Sequence, residues 1–208
     1  VAQMHARSTT ITGDPRSVEE AVAHVRDDAM PTLERVDGCV GLSMLVDRGT
    51  GRCIVTTSWR DEAAMRASEA HVRASAERTA AILGGRPELE QWEIAAMHRV
   101  DEAQGSWSRV TWLRTAPDAV GRAVDAVRLS LMPKLDDLPG FCSVSAMVRR
   151  ADGLTVAAVS YDSREQLDRA AEGAREFREE FAPSMGIETV ATAELEVAIA
   201  HLRVPETL

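Results

Sequence analysis

Apolar positions recur twice along the chain, in the same order of periods. A Thr-, Val- and Trp-rich run opens each half, at Met4–Ile11 and again at Trp107–Leu113, and reads as a strand. A helical stripe follows. Val18, Val22, Val25, Ala29, Leu33 and Val36 fall three or four residues apart, and Val120, Val124, Val127, Leu131, Leu135 and Leu138 repeat the pattern. Gly38 and Gly140 end these helices. Two strands then pair around a tight turn: Val40–Asp47 with Arg52–Trp59, and Cys142–Arg149 with Thr155–Tyr161. A second helix starts near Asp61 and near Ser163. A last strand is predicted at Gln91–Arg99 and at Thr192–Arg203.

Local signals sharpen the boundaries. Asp14-Pro15 offers an N-cap and a proline in the first turn, with Ser17-x-x-Glu20 as an alternative capping box; Ser163-x-x-Gln166 is another such box. Met30-Pro31 and Met132-Pro133 interrupt the first helix of each half, because proline lacks the N–H and clashes with the preceding turn. A kink or a break is expected there.

Pairing Pro31 with Pro133 sets an offset of 102 residues, which also aligns Arg7 with Arg109, Thr9 with Thr111, Gly38 with Gly140 and Ser58 with Ser160. Near the C-terminus the offset becomes 103, matching Glu93 with Glu196 and His98 with His201. The chain therefore divides into copies at 1–100 and 107–208, joined by a polar linker at 101–106. Each copy reads β-α-β-β-α-β, the ferredoxin-like arrangement of the α+β class. Helices cover one face of such a sheet. Two copies in one chain suggest that the other faces pack together as an internal pseudo-dimer of the dimeric α+β barrel type. That arrangement is compatible with a monomer or with a further homodimer.

Composition narrows the function classes. The 208 residues carry 33 acidic and 24 basic side chains, a formal charge of −9, which argues against nucleic acid or an anionic membrane as partner. No apolar run approaches a membrane span. Three cysteines, Cys39, Cys53 and Cys142, show no metal-ligand spacing and read as reduced thiols, so a cytoplasmic location is expected. No nucleotide-binding or metal motif appears, and no cofactor is expected. The sequence contains no asparagine and a single lysine, Lys134.

Leu138-Pro139-Gly140-Phe141, the hairpin after it, and Tyr161-Asp162-Ser163-Arg164-Glu165-Gln166-Leu167 resemble the antibiotic biosynthesis monooxygenase type of dimeric α+β barrel. Val36-Asp37-Gly38-Cys39-Val40-Gly41 and Trp59-Arg60-Asp61-Glu62-Ala63-Ala64-Met65 are the matching stretches of the first copy. The resemblance implies a barrel that binds a small hydrophobic or aromatic molecule. It also brings in cofactor-independent oxygenation of a phenol-type substrate, with a non-catalytic binding or assembly module as the alternative. Haem degradation is disfavoured. The haem-degrading members use an asparagine, and a tryptophan and ligand histidine on the second helix; here that helix carries His71 in one copy and Gly173 in the other.

Several matched residues are candidates for the site. His98 and His201 are candidate catalytic bases, since a neutral imidazole can accept a phenolic proton near neutral pH; the bland reading is a hydrogen-bonded histidine at a strand end. Trp59 and Tyr161 are candidate pocket aromatics or core residues. Arg7 and Arg109 on the first strands, with Glu93 and Glu196 on the last, are candidate ligand-binding pairs or exposed ion pairs. In the hairpin register expected for the first copy, Val46 faces Cys53, Met44 faces Val55 and Val40 faces Trp59, and this face lies under the helices.

Overall fold

A computed structural model describes residues 3–100 and 105–202. The first copy runs β1 (His5–Thr12), α1 (Val18–His24), α2 (Met30–Glu34), β2 (Cys39–Asp47), β3 (Arg52–Trp59), α3 (Glu62–Ala67), α4 (Glu69–Leu83) and β4 (Glu88–Arg99). The second runs β5 (Trp107–Arg114), α5 (Val120–Asp125), α6 (Met132–Leu135), β6 (Phe141–Arg149), β7 (Leu154–Tyr161), α7 (Arg164–Arg169), α8 (Ala171–Glu176), α9 (Ala182–Ser184) and β8 (Glu188–Leu202). The order is β-α-β-β-α-β twice, as the periodicity predicts. Both last strands begin earlier than expected, at Glu88 and Glu188. Residues 101–104, most of the expected linker, lie outside the described residues.

The strand order β1-β3-β2-β8-β5-β7-β6-β4 closes on itself, so every strand has two hydrogen-bonded neighbours. The described residues form two compact units, one of 3–93 with 196–202, the other of 94–100 with 105–195. In the first unit the start of β4 pairs with β1, and the end of β8 pairs with β2. The order β4-β1-β3-β2 within it is that of a ferredoxin-like sheet.

Asp14, not Ser17, caps the first helical turn, accepting from the Arg16 N–H at 2.9 Å; Ser17 makes no side-chain cap bond. Asp61 and Ser163 cap α3 and α7 through the N–H groups of Ala64 and Gln166, at 2.8 and 3.2 Å. The helix carrying Met-Pro does not break. Instead a π turn, Val25–Ala29 or Ala126–Leu131, precedes each Met-Pro pair. Proline removes one i→i−4 bond, and the wider π turn absorbs the misfit. A third π turn, Phe177–Phe181, precedes Ala182-Pro183. The matching α4 has no proline and runs unbroken for 15 residues.

In the first unit one buried cluster joins Val18, Val22, Val25 and Leu33 of the helices to Leu42, Met44, Val46, Cys53 and Trp59 of the sheet. The expected pairs Met44–Val55 and Val46–Cys53 form. A bulge after Cys39 corrects the last pair: Cys39, not Val40, lies opposite Trp59. The second unit's core is divided into smaller clusters, one around Val127, Leu135 and Val144, another around Leu113, Ala126 and Ile187.

Gly51 and Gly153 show the repeat at its tightest. Their φ values are +76° and +70°, and an added Cβ would collide with the carbonyl of Gly13 or of Thr115. The Gly51 and Gly153 carbonyls accept from Gly13 and Thr115 N–H at 3.0 and 2.9 Å, tying each hairpin turn to the end of the first strand. Gly51→Ala or Gly153→Ala is expected to cost at least about 2 kcal/mol in urea unfolding, from the left-handed backbone plus the clash. Gly121→Ala, in helix α5 with open space around it, is expected to add about 0.5–1 kcal/mol.

Candidate binding site

Strand pairing fixes what lies beneath the helices. In β1 and β3, Arg7 pairs with Thr57 and Thr9 with Val55; in β5 and β7, Arg109 pairs with Val159 and Thr111 with Ala157. Because side chains alternate, Arg7 and Arg109 share the helix side of the sheet with Trp59 and Tyr161. Both arginines are buried, at 1% and 6% exposure. Each reaches a backbone carbonyl in the helix that follows the hairpin, α3 or α7: Arg7 Nη2 donates to Met65 at 3.2 Å, and Arg109 Nη2 to Leu167 at 3.1 Å. Burial lowers the Arg7 pKa, with nearby Glu69 opposing and Arg73 reinforcing.

The copies then diverge. In the first, the Trp59 indole N–H donates to Thr57 Oγ1 at 3.0 Å, and Trp59 is fully buried. The space between helices and sheet is about 20 Å³, lined by Thr9, Leu33, Val55, Val72 and Ser75 among others. That is room for one water. In the second copy the same location is a cavity of about 240 Å³. Ala157 stands where the first copy has Val55, Ala174 where it has Val72, and Tyr161 where it has Trp59. Leu131 and Phe177 are larger than their counterparts Ala29 and Ser75, yet they line the wall and do not fill the space. Phe177 begins the π turn and stacks on Phe181 at 5.5 Å.

Two polar groups at this cavity have unused hydrogen-bonding capacity. Val159 replaces Thr57, and the Tyr161 hydroxyl has no hydrogen-bond partner among the described residues. Burial raises the Tyr161 pKa, with Arg109 pulling the other way, so the hydroxyl stays protonated near neutral pH. Arg109 Nη1 is buried without a partner, while Nη2 also reaches Glu194 at 3.2 Å. Glu194 is shared with Arg164 at 2.7 Å.

The other sequence candidates fall elsewhere. His98 Nε2 lies 2.7 Å from Asp136, and His201 Nε2 lies 2.8 Å from Glu34, so the repeat extends to the carboxylate that each histidine meets. Neither histidine lines the cavity. Glu196 pairs with Arg48 at 2.8 Å, not with Arg109. Glu93 lies opposite His5 in the β1–β4 pairing, and Arg7 faces the Met65 carbonyl. Sequence reasoning did not name Ala157, Gly173, Ala174 or Phe177 as site residues. The signal was available: in the aligned copies Val55, Val72 and His71 become smaller residues.

A βαββαβ unit with a cavity between helices and sheet defines a class. The sequence model of the family described as antibiotic biosynthesis monooxygenase matches residues 4–78, and this chain carries a domain of that family there. Over nearly its whole length it resembles two uncharacterized Mycobacterium tuberculosis proteins of strain H37Rv. Rv2558 is 44% identical, over 98% of this chain and 87% of its own; Rv2557 is 40% identical, over 98% and 91%. Among solved structures, an anthrone oxidase-like protein aligns with a TM-score of 0.66 at 13% identity, over 97% of this chain and 92% of its own. A chlorite dismutase of Candidatus Nitrospira defluvii aligns at 0.60 and 10%, over 95% and 92%. A heme-degrading enzyme of Listeria monocytogenes aligns at 0.50 and 5%, over 91% and 98%. At such identities the likeness is one of fold.

Thr57→Val is expected to destabilise the protein by about 1–3 kcal/mol in chemical unfolding, because it leaves the buried Trp59 N–H without an acceptor.

Proposed function

We propose that this protein binds a small hydrophobic or aromatic molecule in the helix–sheet cavity of its second copy, and that its first copy is a closed structural partner. The contrast between about 240 and about 20 Å³ at matched positions carries the reading. At roughly 24 cal/mol per Å³, a dry apolar space of the larger size would cost about 6 kcal/mol, against about 0.5 for the smaller. Water entering the open mouth and meeting Arg109, Lys134, Arg178 and Tyr161 reduces the first figure. The volume falls just below the roughly 300–1,000 Å³ of drug-sized pockets, which suits one or two fused rings. Tyr161 and Arg109 suit an oxygen on that ring system, such as a phenol or a carbonyl.

Cofactor-independent oxygenation is the second reading, and Arg109 beside Tyr161 favours it. A guanidinium there would hold a phenolate once it formed, and an electron-rich phenolate can pass an electron to oxygen without a cofactor. His98 and His201 stand outside the cavity, in contact with Asp136 and Glu34. The cavity does not fit haem. No histidine lines it.

Ala157→Val with Ala174→Val restores the side chains of the first copy and tests the reading. Calorimetric titration with naphthol is expected to show binding to the native protein and at least about tenfold weaker binding to the double variant, a change of roughly 1.4 kcal/mol. Thermal stability is expected to hold or rise as the space fills. Equal binding by both proteins would contradict the assignment.

A further inference from the structure

The cavity wall is charged in one sense only. Arg109, Lys134 and Arg178 line it and no carboxylate does, in a chain whose formal charge is −9. Lys134 is the single lysine in the sequence. At the matching positions the first copy has Thr32 and Ala76, where Thr32 donates to the Asp28 carbonyl at 2.9 Å and Ala76 is buried. The added cations therefore accompany the added volume and are absent where the space is closed.

Among the described residues neither Lys134 nor Arg178 has an ion-pair or hydrogen-bond partner. Most arginines nearby are paired: Arg164 with Asp168 and Glu194, Arg169 with Glu165, and Arg175 with Glu172 and Glu179. Glu176 and Glu180 stand in an outer groove that shares Leu131, Lys134, Gly173 and Phe177 with the cavity. They do not enter the inner wall, and neither lies within ion-pair distance of Lys134. Arg109 adds a third cation. It is 94% buried by its 6% exposure, its Nη1 is unpartnered, and its one carboxylate contact, Glu194, is divided with Arg164. An anionic guest supplies charge-assisted hydrogen bonds to Lys134 and Arg178 that a neutral one does not, in a partly water-excluded site.

We infer that the ligand is an aromatic carboxylate: its rings lie against Phe177, Leu135 and Ala157, Lys134 and Arg178 hold its carboxylate, and Arg109 and Tyr161 take a second oxygen. This rests on the binding reading above and adds the ligand's charge and its two-ended polarity. Lys134 is exposed and Arg178 half-buried, which places the anionic end toward the mouth and the neutral oxygen toward the floor.

The probes are naphthol, hydroxynaphthoate and hydroxynaphthamide, which differ in charge at one end and fluoresce. In the native protein hydroxynaphthoate is expected to bind about tenfold more tightly than its amide, and this ratio is expected to fall to about twofold in Lys134→Gln with Arg178→Gln. Raising the salt concentration is expected to weaken hydroxynaphthoate and leave the amide unchanged. Equal binding of acid and amide by the native protein overturns the charge assignment and leaves the cavity reading standing. A tenfold preference that survives the double variant overturns it too. Failure of all three probes to bind overturns both.

Discussion

Everything about the candidate site depends on strand register. Side chains alternate across a strand, so a one-residue slip would turn every helix-facing residue away. The β1–β3 and β5–β7 pairings place Arg, Thr, Val or Ala, Thr or Val, and Trp or Tyr on the helix side in both copies. Gly51 and Gly153 hold that register by locking each hairpin turn to the end of the first strand. The buried arginine then ties sheet to helix through one carbonyl, at Met65 or Leu167. The frame is the same twice, and what differs is the set of side chains inside it.

Duplication separates two roles that a single unit must combine. The first copy packs its helix–sheet space shut. Trp59 bonds Thr57, Val55 and Val72 fill the space, and α4 is continuous. The second copy gives up that packing. Ala157 and Ala174 withdraw methyl groups, Tyr161 loses its hydroxyl's local partner, and Pro183 follows a π turn at the cavity wall. π turns in helices occur often at functional sites.

The elements and the repeat were legible in sequence because helical and alternating periods are strong signals and each occurs twice. Met-Pro marked the correct place but not the outcome; proline announces a missing N–H, and only the surrounding helix decides whether a π turn absorbs it. The bulge after Cys39 was hidden because the pattern carries no mark for one extra residue. Arg109 and Tyr161 were visible as matched residues, whereas Ala157, Ala174 and Gly173 were not, because searching for conserved likeness between copies hides the positions where they differ. For Glu196 the alternatives are a ligand-binding pair with Arg109 or an exposed ion pair, and the contacts differ by two positions along β8. Glu194 meets Arg109, and Glu196 meets Arg48, since β8 carries both carboxylates and sequence alone does not fix which arginine each one reaches.

The central claim is that one copy binds and the other does not. Diffraction from crystals soaked in a brominated hydroxynaphthoate tests it directly, because bromine is located by its anomalous signal. One bromine per chain is expected, in the cavity bounded by Ala157, Tyr161 and Phe177, and none beneath the helices of the first copy. A bromine beside Trp59 and Val55, or bromine only at the protein surface, would contradict it.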